Sequence, residues 1–254
     1  MFGRTKKDDT SRDVEMFEKL KRTLKQAYTI QRWDQADDAA TKLLAHLTAH
    51  EETIGATQSE LAEWHAQRGI ALHNQRRYEP AFQQLELAER WLNMSLSEAT
   101  DFAKSQKITL TGEGDSLDTD LALLALETLA EAMVQRGTSN AGGVLEQVVK
   151  VADIVGQPER MWNARFRLAT YTAGLADWDK LLRLGQELGQ FANRHKSLGS
   201  LLVSMRFIVE ALISQRRLDD ARAAQRLVVD IAKFINDISL PNEEAEMARL
   251  SAVK

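Results

Sequence analysis

Apolar residues recur at three- and four-residue spacing along almost the whole chain, the mark of helices that bury one face. Val14, Phe17, Leu20, Leu24 and Tyr28 form the first stripe, and Thr10 or Ser11 stands where it could cap a first turn by accepting free backbone N–H groups. Ala36, Ala40, Leu43, Leu44 and Leu47 form the second, and Leu61, Trp64, Ile70 and Leu72 lead into a third. A longer run passes from Ala81 through Leu85, Ala88, Trp91 and Leu92 towards Phe102. The pattern breaks at Thr111-Gly-Glu-Gly-Asp115, resumes at Leu117 and holds to Ile238. It predicts about ten helices, in roughly five antiparallel pairs. Pro241 is expected to stop the last of them, before a tail or a short capping helix over residues 241–254.

Composition narrows the class. With 3 prolines and 13 glycines, the chain cannot supply the turn that a sandwich or barrel needs every 8–12 residues or so, so the fold class is all-α. Hydrophobic residues at 44% and charged residues at 28% exclude disorder. No cysteine is present, which removes disulfides and thiolate metal sites. The longest apolar stretch, Leu121 to Val134, carries Glu127 and Glu131 and falls short of the roughly 20 residues of a membrane span. The stretch from Met1 to Asp13 is polar and lacks a signal peptide's apolar run. A cytoplasmic protein is therefore expected, with a flexible tail over 1–10 and a repeat domain over 11–240. A net charge of −4 gives no general attraction to nucleic acid or anionic lipid.

One segment repeats. Gln75-Arg-Arg-Tyr-Glu-Pro-Ala81 matches Gln215-Arg-Arg-Leu-Asp-Asp-Ala221. A bulky residue followed three positions later by alanine occurs as Trp33 with Ala36, Tyr78 with Ala81 and Leu218 with Ala221. Trp178 with Leu181 is a variant, and Thr138 with Ala141 a weaker copy. The steps between these anchors are 45, 60, 40 and 40 residues. The long second step fits an insertion over about 104–118. The bulky residue would plug the turn of a helix hairpin, and the alanine would let two backbones approach. Such a hairpin leaves an apolar face that only a stacked neighbour can cover.

These residues resemble tetratricopeptide (TPR) repeats. The best copy spans Leu61 to Asn93: Gly69 matches the small residue of the first helix, Tyr78 the aromatic at the turn, Ala81 and Ala88 the small residues of the second helix, and Leu85 its large apolar residue. Leu72, His65 and Asn93 stand where the family often has tyrosine, tryptophan and proline. The resemblance extends loosely over Val14 to Ile238, with a period longer than the family's usual 34 residues. It implies a solenoid of about five pairs in a right-handed superhelix. Another α-solenoid or an irregular helical bundle would show the same periodicity.

Chemistry-bearing patterns are sparse. His46 and His50 are four apart on one helix face, a spacing that suits two metal ligands, but no third ligand is evident nearby. They read as polar residues near a helix end, and no metal or other cofactor is expected. The acidic stretch Glu113 to Asp120 breaks the alternation of a calcium loop, and Asp118 reads instead as a helix cap. Gly112-Glu-Gly114 lacks the lysine or third glycine of a phosphate cradle; Ala141-Gly-Gly143 opens a helix, whose N-terminus can hold an anion, though a tight turn explains it as well. No nucleophile elbow is present, so no enzyme is expected. Arginines at Arg76-Arg77, Arg160, Arg165, Arg167 and Arg216-Arg217 read as helix-end charges that favour the dipole, and Trp33, Trp64, Trp91, Trp162 and Trp178 as packing residues. Nucleic acid is accordingly not an expected partner.

In the resembled family, the first helix of each pair lines a concave groove. By register this implies Glu18, Lys21, Lys25 and Tyr28 from the first pair, and His73 from the second. It implies Asn163, Phe166 and Thr170 from the fourth, and Arg206 and Glu210 from the fifth. The third pair offers only Leu123, Leu126, Ala130 and Met133. The set is mixed in charge and lacks a carboxylate clamp's repeated lysine and asparagine. The function expected is a non-catalytic scaffold, adaptor or assembly factor that binds a protein segment. Two other readings stand beside it: a sensor for a small ligand or signalling peptide, and a structural protein that self-associates. Far-UV circular dichroism should show a helix-dominated spectrum with less than about one tenth sheet, against the 20–25% strand of average domains; a larger sheet content would contradict the fold class.

Overall fold

The structure is a computed structural model, and it describes residues 6–51, 53–111 and 118–252. The chain divides into two compact units, one up to Val155 and one from Gly156 onward. The first holds α1 (Lys6–Thr29), α2 (Trp33–Ala49), α3 (Gln58–Asn74), α4 (Tyr78–Asn93), α5 (Leu96–Ser105), α6 (Thr119–Arg136) and α7 (Ala141–Val155). The second holds α8 (Pro158–Gly174), α9 (Trp178–Arg194), α10 (Leu198–Ser214), α11 (Leu218–Ile235) and α12 (Leu240–Ala252). Five hairpins result, α1/α2, α3/α4, α6/α7, α8/α9 and α10/α11, with α5 and α12 in addition. The only strands among the described residues are β1 (Gly55–Ala56) and β2 (Thr109–Leu110), a two-residue parallel pair. The protein is all-α.

The hairpin turns share one backbone device. One or two residues after each first helix the chain enters the left-handed region: Gln31, Arg76, Gly137, Ala176 and Arg216 all have φ between 55° and 65°. The amide that follows reaches back five residues. Arg77 N–H donates to the Leu72 carbonyl at 2.9 Å, and Arg217 N–H donates to that of Leu212 at 2.9 Å. This Schellman-type closure satisfies carbonyls that the helix end leaves open and starts the next helix almost at once. It also explains the repeated Gln-Arg-Arg. The first arginine is the left-handed residue. The second pairs with a carboxylate, Arg77 with Asp37 at 2.8 Å and Arg217 with Asp220 at 2.6 Å. These arginines therefore belong to turns rather than to free helix ends.

Four anchors, Trp33, Tyr78, Trp178 and Leu218, are the first residue of a second helix. The plug assigned to Tyr78 is corrected: its side chain is 56% exposed, lying edge-on to His73 with ring centroids 5.4 Å apart. Trp33 and Leu218, at the same helical position, do pack partly against their cores. The close approach lies one turn on. A Cβ on Gly69 would fall 2.6 Å from Leu85 Cγ and 3.2 Å from the Ala81 carbonyl oxygen. In the second unit, a Cβ on Gly185 of α9 would fall 2.9 Å from Ile208 Cγ1 of α10, a close approach between neighbouring hairpins.

Helix boundaries depart from the periodicity where caps intervene. The run from Ala81 does not continue to Phe102. It breaks at Met94, and Ser95 opens α5 with a capping box to Glu98, which satisfies two orphan donors reciprocally. Thr57 and Glu60 open α3 in the same way. Ser11 caps nothing, because α1 already starts at Lys6. Asp118 does cap α6, accepting from Asp120 N–H at 2.9 Å. Pro241 does not stop a helix: α11 ends at the left-handed Asn236, and Pro241 lies in the first turn of α12, where a missing N–H costs nothing. Gly112, Glu113 and Gly114 lie outside the described residues.

The core of the first unit is built on Phe17, Leu24, Leu43, Leu47, Trp64 and Trp91, and that of the second on Leu202, Leu212, Ala221, Val228 and Leu250. We expect Gly69→Ala to destabilise the protein by about 1–3 kcal/mol through overpacking. Ala81→Leu should cost more than Ala81→Gly, whose loss is about 1 kcal/mol. Thermal or denaturant unfolding of the three variants measures the order, and an equal or milder loss for Ala81→Leu would contradict it.

Candidate functional site

On the first-helix face of the first unit, α1 lies against α3 through charged side chains. Lys21 Nζ donates to Glu60 Oε1 at 2.6 Å and to Glu18 Oε1 at 3.4 Å. Lys25 pairs more loosely with Glu63, at 3.7 Å, and Phe17 meets Trp64 edge-on with centroids 5.4 Å apart. Burial would lower the Lys21 pKa, but the Glu60 hydrogen bond and the charges of Glu60 and Glu18 outweigh it and hold it above its ordinary value. Burial would raise the Glu60 pKa, and the bonds from Lys21 and Thr57 bring it below the usual range. Lys21 thus ties two helices together. Tyr28 is half-buried against Trp33, and its hydroxyl is buried with no hydrogen-bond partner among the described residues. Burial pushes its phenol up to about 12. His73 sits at the hairpin end, beside a cavity of about 150 Å³ that Tyr78, Phe82 and Arg136 also line. Leu123, Leu126, Ala130 and Met133 of α6 are buried core and offer no surface.

In the second unit the first helices are α8 and α10. Trp162 stacks on Phe166 with centroids 5.1 Å apart, and Phe166 meets Phe207 of α10 at 5.8 Å. Phe166 is therefore part of the helix contact, while Asn163 and Thr170 beside it are exposed. Arg206 is engaged: it donates to Glu243 at 2.8 Å, to Asp237 at 3.4 Å and to the Ser239 hydroxyl. The buried Gln225 of α11 also donates to Glu243. These bonds fasten α12 to α10 and α11.

Glu210, one turn beyond Arg206, is exposed at the rim of a cleft of about 350 Å³. Val209, Ile213, Gln225, Glu246 and Arg249 line the rest of it. Arg249 answers Glu246 at 2.6 Å and Arg206 answers Glu243, so of two arginines and three glutamates on the cleft one carboxylate, Glu210, is left over. The cleft combines apolar side chains with unbalanced negative charge at its rim.

Gly69, pressed against Leu85 and the Ala81 carbonyl, lets α3 and α4 of its hairpin run close together. No protein-family model matches the chain, and no curated protein matches it. Among solved structures, it is similar to nearly identical TPR-like repeats of kinesin light chain type from Podosopora anserina. That likeness has 18% identity, 89% of this chain and 97% of that chain covered, and a TM-score of 0.49. It is also similar to Bacillus thuringiensis PlcR in its apo form, with 14% identity, 96% and 80% covered, and a TM-score of 0.45.

Of the residues that register assigned to the first helices, Lys25 in the first unit and Asn163, Thr170 and Glu210 in the second keep substantial exposure, whereas Lys21, Phe166 and Arg206 are committed to holding helices. Sequence reasoning missed Glu60, whose capping-box spacing from Thr57 could have revealed it. It also missed Glu243, Glu246 and Arg249, which only the path of α12 brings to the cleft. We expect Lys21→Met to cost about 1–2 kcal/mol at neutral pH, somewhat below the roughly 1.5–3 kcal/mol of a charge-assisted hydrogen bond because water partly screens the pair, and above the few tenths of a surface change. Because the Glu60 pKa is depressed on folding, this contribution is full above the ordinary carboxylate range and is lost as pH falls through the lowered value. Denaturant unfolding of parent and variant at pH 7 and in acid should show the gap closing; a gap that is small at pH 7 or independent of pH would contradict it.

Proposed function

We propose that the chain is a non-catalytic interaction module that receives a protein segment on the first-helix face of its second unit, along α10 and into the cleft beside α12. Stacked hairpins present long, regular helix faces suited to extended or helical segments. The observation that carries the reading is Glu210. It is an exposed carboxylate at the mouth of a cleft lined by Val209 and Ile213, while the neighbouring charges are already paired. The segment that fits supplies an apolar side chain for the cleft and a lysine or arginine for Glu210. Asn163 and Thr170 extend the polar contact along α8. Lys21, Lys25, Tyr28 and His73 in the first unit are not needed for this contact.

No helix among the described residues is long and apolar enough to cross a membrane. The cleft's polar rim would also suit a small ligand, which is the sensor reading. Self-association is separated from both by light scattering on the purified chain.

A photo-crosslinking residue at position 210, introduced in the native host, identifies the segment that lies against the cleft. Calorimetry with that segment then compares Glu210→Arg with Glu187→Arg, an exposed control on α9. The expected result is at least a tenfold loss for Glu210→Arg, about 1.4 kcal/mol, and parental affinity for Glu187→Arg, with melting temperatures unchanged. Equal affinity for all three proteins would reject the cleft as the docking site.

A further inference from the structure

The first hairpin brings together three metal-ligating side chains that play no part in the face described above. His46 lies in the last turn of α2 and His50 is its C-cap, with ring centroids 4.4 Å apart. Asp13 reaches them from α1. His50 Nδ1 is 2.9 Å from Asp13 Oδ2, and His46 Nε2 is 2.9 Å from the Asp13 backbone oxygen. One ring nitrogen from each histidine and one carboxylate oxygen lie within 4.8 Å of one another.

We propose that Asp13, His46 and His50 form a site for a divalent first-row transition metal, with Zn²⁺ the best fit, that clasps α1 to the end of α2. The donor set decides the class of ion. Two imidazoles and one carboxylate suit zinc, cobalt, nickel or copper, whereas magnesium and calcium require oxygen ligands throughout. Zinc takes nitrogen and oxygen ligands at about 2.0–2.2 Å in a tetrahedron, which sets its donors roughly 3.3 Å apart. The His50–Asp13 pair is already slightly inside that spacing. The remaining donors lie within 4.8 Å of one another, so metal binding requires the half-buried His46 and His50 rings to turn towards Asp13. The site also lies at a helix C-terminus, where the macrodipole favours a cation. Three protein ligands leave a fourth position for water.

The competing account is a metal-free staple, in which His50 donates to the Asp13 carboxylate and His46 to its carbonyl. The two accounts differ in what the ring nitrogens carry. The staple needs a proton on each contacting nitrogen, and metal binding removes those protons. Asp13→Asn separates them, because asparagine still offers an oxygen to His50 but no charge to a metal.

The test uses tag-free, chelator-treated full-length protein titrated with Co²⁺ as the visible-absorbing probe, then with Zn²⁺ by calorimetry. The expected result is one saturable site per chain, four-coordinate Co²⁺ bands that Zn²⁺ displaces, and a higher melting temperature with metal. His46→Ala, His50→Ala and Asp13→Asn should each weaken binding at least tenfold, while His73→Ala and His195→Ala leave it unchanged. Circular dichroism verifies that the variants are folded. X-ray absorption of the zinc-loaded parent gives a reading independent of any variant and should show imidazole scattering. Lack of a saturable site in the parent, an imidazole-free spectrum, or undiminished binding by Asp13→Asn and the two alanine variants would overturn the assignment.

Discussion

The backbone turn at the end of each first helix is the constraint on which the rest depends. One residue goes left-handed, the amide after it closes on a carbonyl five residues back, and the next helix starts within a residue or so. A turn this short holds two helices close along their whole length, and that closeness admits only small side chains where the backbones cross. Gly69 against Leu85 and Ala81, across the α3/α4 hairpin, is the result. The left-handed position is costly for residues with a Cβ, yet Gln31, Arg76, Ala176 and Arg216 occupy it. Packing on both sides of the turn over-determines it.

The same geometry sorts the charged side chains. First helices that lie side by side must neutralise what faces their neighbours, so Lys21 meets Glu60, and Arg206 is drawn to α12. Side chains one turn further along, such as Glu210, escape that requirement and remain available. Availability for a partner is therefore set by register within the hairpin as well as by exposure. It concentrates in the second unit because α12 adds walls to one side of α10.

Much of the fold was legible in the sequence because its cause is periodic. The apolar stripes gave the helices, and the recurrence of Gln-Arg-Arg with a later alanine gave the hairpins, since turn and crossing point keep a fixed spacing. What stayed illegible was non-periodic. Leu96 to Ser105 follows the preceding stripe so closely that only the Ser95–Glu98 box marks a new helix. Pro241 reads as a stop or a start depending on which side of it the helix lies. The cleft beside Glu210 and the cluster of Asp13 with His46 and His50 join residues more than thirty positions apart, which no local spacing encodes. Residue type suggested a plug at Tyr78, whereas its ring lies exposed against His73, unlike Trp33 and Leu218 at the same helical position.

The central claim is that the left-handed turn closes every hairpin, and amide hydrogen exchange resolved by NMR measures it directly. The account predicts that the amides of Arg77, Asp177 and Arg217, each donating to the carbonyl five residues earlier at 2.9 Å, 3.3 Å and 2.9 Å, exchange as slowly as the helix amides that flank them. Exchange of these amides at the rate of an unfolded chain, beside protected helices, would contradict it.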